Sequence, residues 1–214
     1  MTQLLRDFQR RLRASERHRL ASLRSPERIQ AFLDEASYIG EERYRCPLTF
    51  MRDGGGHCFD GAVFAALALR RLGLGSVLID LLPNDRDDDH VVAVYRRGQA
   101  WGALAKSNYS GIRSREPVYR SVRELAMSYF EGFFNVTGER TLRAYTRPLD
   151  LTRFDDLGWP WSDAALDRIG DGLETARWYP LLDAAQIRRL TRVDARSRAA
   201  GLLGSRRSEL FRPD

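Results

Sequence analysis

Apolar residues recur at helical spacing from residue 2 to 24 (TQLLRDFQRRLRASERHRLASLR), with Leu4, Leu5, Phe8, Leu12 and Leu20 on or near one face. That period predicts an amphipathic helix, with His18 on its solvated side. Ser25-Pro26-Glu27 reads as a new helix start: a hydroxyl N-cap, proline in the first turn, then an acid at the positive dipole end. The second helix would turn Ile29, Phe32, Leu33 and Ala36 inward and stop near Gly40. Residues 41 to 57 (EERYRCPLTFMRDGGGH) read as an irregular or extended approach ending in three glycines. The next segment, CFDGAVFAALALRRLG, is apolar almost all round from Ala62 to Leu69. A helix without a polar face belongs in the centre of a domain. Arg70, Arg71 and Gly73 suit its C-terminal end.

Three strand-like runs follow: Ser76 to Leu82, His90 to Tyr95 and Ala100 to Lys106. The last two flank Arg97-Gly98, a hairpin turn, and PNDRDDD (83–89) forms a polar loop between the first two. Ser121-Val122-Arg123-Glu124 has capping-box spacing and opens a helix through Phe134. Thr141 to Arg147 predicts a further strand, and two Arg-rich helical stretches, about 163 to 177 and 183 to 200, fill the C-terminus. The tail from Ser205 reads as frayed. No internal repeat or long linker divides the chain, so one domain over 1–214 is expected, with a core at about 41–147, N-terminal helices over 1–40 and a C-terminal helical extension over 148–214.

Composition narrows the classes. The 214 residues are 43% hydrophobic, enough for a real core. The longest strongly apolar run, Ala62 to Leu69, is far short of the roughly 20 residues of a membrane-spanning helix. MTQLLRDFQRRLR lacks the apolar stretch of a signal peptide, so a cytoplasmic location is expected. The net charge of +6 invites a nucleic-acid reading, but arginines are interspersed with nearly as many acids, and neither nucleic acid nor membrane is an expected partner. Of the 35 basic residues only Lys106 is lysine.

Candidate chemistry centres on Cys58. The order is a Gly-rich turn, Cys58, a buried helix, a strand, a loop, and His90 opening a second strand. A thiol attacks as thiolate, and a helix N-terminus stabilises that anion. Gly54, Gly55 and Gly56 leave room for a sharp turn and for substrate. A histidine on a strand packed against that helix serves as base and then as acid.

In GGGHCFDGAVFAALALRRLG, DDDHVVAVY and AWGALAKSNYSG, over roughly residues 50 to 110, the chain resembles the transglutaminase-like superfamily, in a bacterial branch of it. The resemblance implies an α+β, papain-like core, with a central buried helix on an antiparallel sheet and extra terminal helices. It implies acyl transfer or hydrolysis at an amide or peptide bond through a thioester, with Cys58 as nucleophile and His90 as base, and no cofactor. The expected partner is a small molecule or peptide with an acyl or amide group.

The family's acid usually follows the tryptophan of the third strand. After Trp101 this chain has Gly102, Ala103, Leu104, Ala105, Lys106 and Ser107, and no acid. Turning at Arg97-Gly98 would pair His90 with Ala105, whereas a one-residue slip would bring Lys106 and Asn108 toward it. Asn108 is the candidate to orient the imidazole. Gly56, His57, Trp101, Lys106, Ser107 and Tyr109 are candidate substrate contacts. The departure leaves a second reading open: a catalytically weak or inactive relative that binds a ligand or a protein. Simpler readings stand beside these. Cys58 is a small buried hydrophobe, Asp87–Asp89 a solvated loop that would repel anions or attract a cation, and Cys46 core filler. A zinc site from Cys46, His57, Cys58 and His90 lacks paired CxxC spacing, so no metal is expected.

Overall fold

A computed structural model describes residues 2–41 and 43–213. The chain begins with α1 (Gln3–Arg11), α2 (Ala14–Ser22) and α3 (Pro26–Glu35), then a short β1 (Ser37–Tyr38). Next come α4 (Pro47–Asp53), β2 (Gly55–Gly56), α5 (Cys58–Arg71) and the strands β3 (Val77–Pro83), β4 (His90–Arg97), β5 (Ala100–Leu104) and β6 (Arg115–Tyr119). After α6 (Val122–Met127) lie β7 (Leu142–Thr146), β8 (Leu149–Asp150), α7 (Ala164–Glu174), β9 (Trp178–Pro180), α8 (Ala184–Arg188) and α9 (Ala195–Gly201). The main sheet is antiparallel in the order β6-β5-β4-β3-β7-β9, with β8 also pairing β3. This mixture of helices and antiparallel sheet is the α+β class.

The centre is α5, in which every residue from Cys58 to Leu69 is buried. An all-apolar helix has no face to give to water, so every side must be covered. Phe64 is gripped by Phe32 of α3 and Phe50 of α4, with ring centroids 4.8 and 5.4 Å away. Leu166, Ile169 and Leu173 of α7 belong to the same core, and the sheet closes the remaining side. Arg70, at the negative end of the dipole, holds both oxygens of Asp155 at 2.6 Å.

Strand alternation sorts the sheet into two faces. Leu78, Val91, Ala93, Tyr95 and Leu104 join the α5 core, whereas Ile79, Leu81, Val92, Val94 and Ala103 pack with Leu125, Tyr129 and Phe133 on the other side.

Several expectations need correction. The amphipathic N-terminal run breaks at Leu12–Arg13 into two helices. Residues 41 to 57 contain a full helix, α4, with Pro47 in its first turn and Gly54 ending it at φ 72°, a left-handed conformation that favours glycine. The β4–β5 pairing matches Arg97 with Ala100, so Gly98 and Gln99 make the turn, one residue later than Arg97-Gly98. The helix from Ser121 stops at Met127, and the stretch 183–200 is two short helices. The segment past Ser205 is tied down: Glu209 accepts a hydrogen bond from the Gly40 N–H at 2.9 Å.

At Gly61 of α5 an added Cβ would lie 2.2 Å from the Cβ of Lys106. Neither atom sits at the end of a flexible side chain. Gly61→Ala is therefore expected to destabilise the protein by about 1–3 kcal/mol through overpacking, read as a lower urea midpoint at unchanged slope. An unchanged midpoint would contradict this contact.

Candidate functional site

The Gly-rich turn delivers Cys58 to the first position of α5. Gly56 pairs with Tyr38 across the two-stranded β1–β2 ribbon, and His57 takes extended backbone angles as the helix N-cap. Asp60, two residues on, is wholly buried and ties the approach segment to the helix. Its carboxylate accepts the Arg45 N–H at 2.8 Å and the His57 N–H at 3.2 Å, and lies 3.7 Å from the buried Arg45 guanidinium. Burial raises the Asp60 pKa to about 7, and these two amide donors and the guanidinium oppose the rise.

Cys58 is 6% exposed, and its sulfur lies 3.9 Å from the Asp89 carbonyl and also meets the Val91 backbone N–H. Its pKa lies well above the ordinary thiol value, first through burial and then through the charge of Asp89. A helix N-terminus contributes at most ~2 kcal/mol toward a thiolate, whereas full burial moves a pKa by up to about 3–5 units of ~1.4 kcal/mol each. Burial wins, and the thiol is neutral.

A cavity of about 310 Å³ opens beside this sulfur, lined by His57, Tyr44, Asp80, Asp88 and Asp89 among others. Asp80 pairs with Val91 in the β3–β4 ladder and so faces α5. It is 5% exposed, and its Oδ1 has no hydrogen-bond partner. Burial, reinforced by the neighbouring charge of Asp89, holds the Asp80 carboxyl well above the usual range. Asp88 and Asp89 are exposed as residues, yet crowded surroundings raise both carboxyls, and the Asp89 side chain hydrogen-bonds that of Asp80.

The His90 ring does not line the Cys58 cavity; it borders a separate small one with Asp88, Asp89, Ser107, Asn108 and Tyr109. Its neighbours in β4 alternate, Val91 toward α5 and Val92 away, and the ring goes with Val92. Nε2 lies 2.8 Å from the Ile112 carbonyl, and the ring meets Tyr129 and Phe133 edge-on at centroid distances of 6.5 and 6.3 Å. Since that carbonyl only accepts, Nε2 carries the proton. Among the described residues no hydrogen bond joins the His90 imidazole to Cys58. The expected Cys58–His90 contact is thus corrected by strand parity.

Asn108 does not orient His90 either. Its amide donates to the Arg206 carbonyl and accepts the Arg206 N–H, at 2.9 and 2.8 Å, fastening the C-terminal segment. The sheet face that holds His90 also carries Ala103 and Ala105, leaving Lys106 on the α5 side. The Lys106 ammonium donates to the carbonyls of Leu33 and Ala36 at 2.8 and 2.5 Å, capping the C-terminus of α3. Lys106, Ser107, Asn108 and Tyr109 line a different cavity, of about 450 Å³. The Ser107 hydroxyl accepts the Tyr109 N–H, and Trp101 carries Arg96 over its ring at 5.2 Å. His57 alone among the expected substrate contacts shares the Cys58 cavity. Cys46 sits apart at the head of α4, with Thr49 Oγ1 3.3 Å from its sulfur.

Sequence reasoning missed Asp60 and Asp80. Each carried a signal: an acid inside the first turn of an all-apolar helix, and an acid in the middle of the apolar run SVLIDLL.

No protein-family model matches the chain, and no curated protein sequence does. Solved structures with a distant likeness include LapG from Legionella pneumophila, at 19% identity and TM-score 0.35, covering 48% of this chain and 70% of that one. Its EGTA-treated and calcium-bound forms match at 19% and 18% identity with the same TM-score, each over 49% of this chain and 68% and 70% of theirs.

Burial lowers the pKa of both His57 and His90 from 6.5 to about 4. A base whose folded pKa is depressed binds its proton more readily unfolded, so these rings contribute stability above pH 6.5 that is lost on acidification toward pH 4. In an NMR pH titration both rings are expected to stay neutral at pH 5.5. Titration of His90 near pH 6.5 would contradict its burial.

Proposed function

We propose that this chain is a ligand-binding protein of transglutaminase-like architecture, in which Cys58 forms part of a cavity wall and turns nothing over. The observation that carries the reading is the parity of β4, which sends the His90 ring to the face opposite the one that Cys58 and α5 occupy. The His90 imidazole is not placed to take the Cys58 proton, and His57, which borders the same cavity, makes no hydrogen bond to the sulfur among the described residues. Burial and neighbouring carboxylates oppose its ionisation further. What remains is a cleft with one neutral sulfur, aromatic walls and several carboxyls.

A second reading is favoured by one feature, the position of Cys58 at the head of a buried helix. It is a cysteine-dependent acyl transferase or hydrolase forming a thioester at Cys58, with His90 as base. That reaction would require the imidazole to leave the Ile112 carbonyl and cross to the α5 side, and the sulfur to become accessible.

Iodoacetamide labelling of the native protein, with each cysteine followed by mass spectrometry, separates the two. On the binding reading Cys58 reacts more slowly than an ordinary exposed thiol at neutral pH, and His90→Ala does not change its rate. Labelling of Cys58 well above the ordinary rate, abolished in His90→Ala, would overturn it.

A further inference from the structure

Several acids gather around the Cys58 cavity without a basic partner. The chain carries 35 basic residues against 29 acidic ones, and its other buried or half-buried acids include several that are paired: Asp60 with Arg45, Asp155 with Arg70, Glu139 with Arg86. Among the described residues, Asp80, Asp88 and Asp89 make no ion pair. Glu41 at the rim is occupied by Arg45 at 2.5 Å, and Asp88 Oδ1 accepts only the Asp89 N–H. Asp80, buried in the cavity wall, shares a hydrogen bond with the Asp89 side chain and accepts the His90 N–H, yet its Oδ1 has no hydrogen-bond partner. A buried carboxyl oxygen left without a donor costs about 1–3 kcal/mol, and a ligand bearing donors would recover it.

We infer that the cavity beside Cys58 binds a guanidinium group, such as the side chain of an arginine in a peptide. This rests on the binding reading above and names the class of ligand. A guanidinium is planar, presents donors in a rigid fork, and is more weakly hydrated than an ammonium. The fork would engage the free oxygen of Asp80 and the Asp89 carboxylate at the mouth, while the rings of Tyr44 and Phe59, which pack together at 4.6 Å, border the same cavity and offer faces for its plane. A bare metal ion fits less well: among the described residues no group of three or more His, Cys, Asp or Glu side chains stands ready to hold one. The cavity, at about 310 Å³, also exceeds what one ion fills.

Isothermal titration calorimetry of the full chain with N-acetyl-arginine-N-methylamide, its lysine counterpart and calcium chloride tests this. Saturable one-to-one binding of the arginine probe is expected, about tenfold or more tighter than the lysine probe. Asp80→Asn, close in volume, is expected to weaken the arginine probe about tenfold or more, with its melting curve checked against wild type. Asp89→Asn, at an exposed residue, provides the same readout should Asp80→Asn fail to fold. Absence of saturable heat with the wild-type protein, equal affinity in the variants, or displacement of the arginine probe by stoichiometric calcium would each overturn the inference. Fast, His90-dependent alkylation of Cys58 would remove the binding reading and leave the calorimetry standing, so the two failures are distinguishable.

Discussion

Helix α5 has no side that water can touch, and covering it organises the rest of the molecule. One side takes the sheet, and the others take α3, α4 and α7, with Phe64 locked between Phe32 and Phe50. Because the sheet must present an apolar face to this helix, the odd residues of β4 turn inward and the even ones outward. That requirement fixes where every polar group on β4 goes. Val91 and Ala93 meet α5, and His90 is carried to the second core with Val92. A one-residue shift would reverse the arrangement, but only by pushing His90 into the α5 contact and stripping Val91 and Ala93 from it.

The same constraint explains the electrostatics. Burying the head of α5 places Cys58 and Asp60 out of water together. Asp60 is compensated by two backbone amides and by Arg45, which gives the otherwise irregular approach segment a reason to hold its path. Asp80 has no such partner on its inner oxygen, although its own N–H is taken by the Thr146 hydroxyl at 2.8 Å. The site therefore combines a satisfied carboxylate that builds the wall with an unsatisfied one that faces the cavity. Lys106 belongs with the first kind. Its stem crosses Gly61 and its ammonium closes the end of α3, so the single lysine of the chain is spent on architecture.

Long periodic segments were legible in the sequence, and short or tertiary ones were not. The all-round apolarity of residues 62 to 69 announced a central helix, and the Ser25 cap marked the start of α3. The strands that pack on α5 were visible as apolar runs. Helix α4, of seven residues, hid between polar neighbours because its burial comes from the tertiary contacts of Phe50 and Met51, which no local period records. The hairpin turn moved by one residue because Gly98, with φ 61°, and Gln99 form the loop. At the candidate site, Cys58 was placed correctly at the helix head. The partner of His90 was not legible, since the Ile112 carbonyl reaches it from 22 residues away. Asn108 resembled an orienting residue in sequence and is claimed instead by Arg206, 98 residues on.

The central claim is that the thiol at position 58 is neutral and independent of the imidazole at position 90. Ultraviolet titration of thiolate absorbance in Cys46→Ala protein tests it most directly, since only one thiol then remains. The structure predicts no ionisation step below the ordinary thiol value of 9.0, and an identical curve in the protein that also carries His90→Ala. A step at or below neutral pH that disappears with His90 would contradict the account.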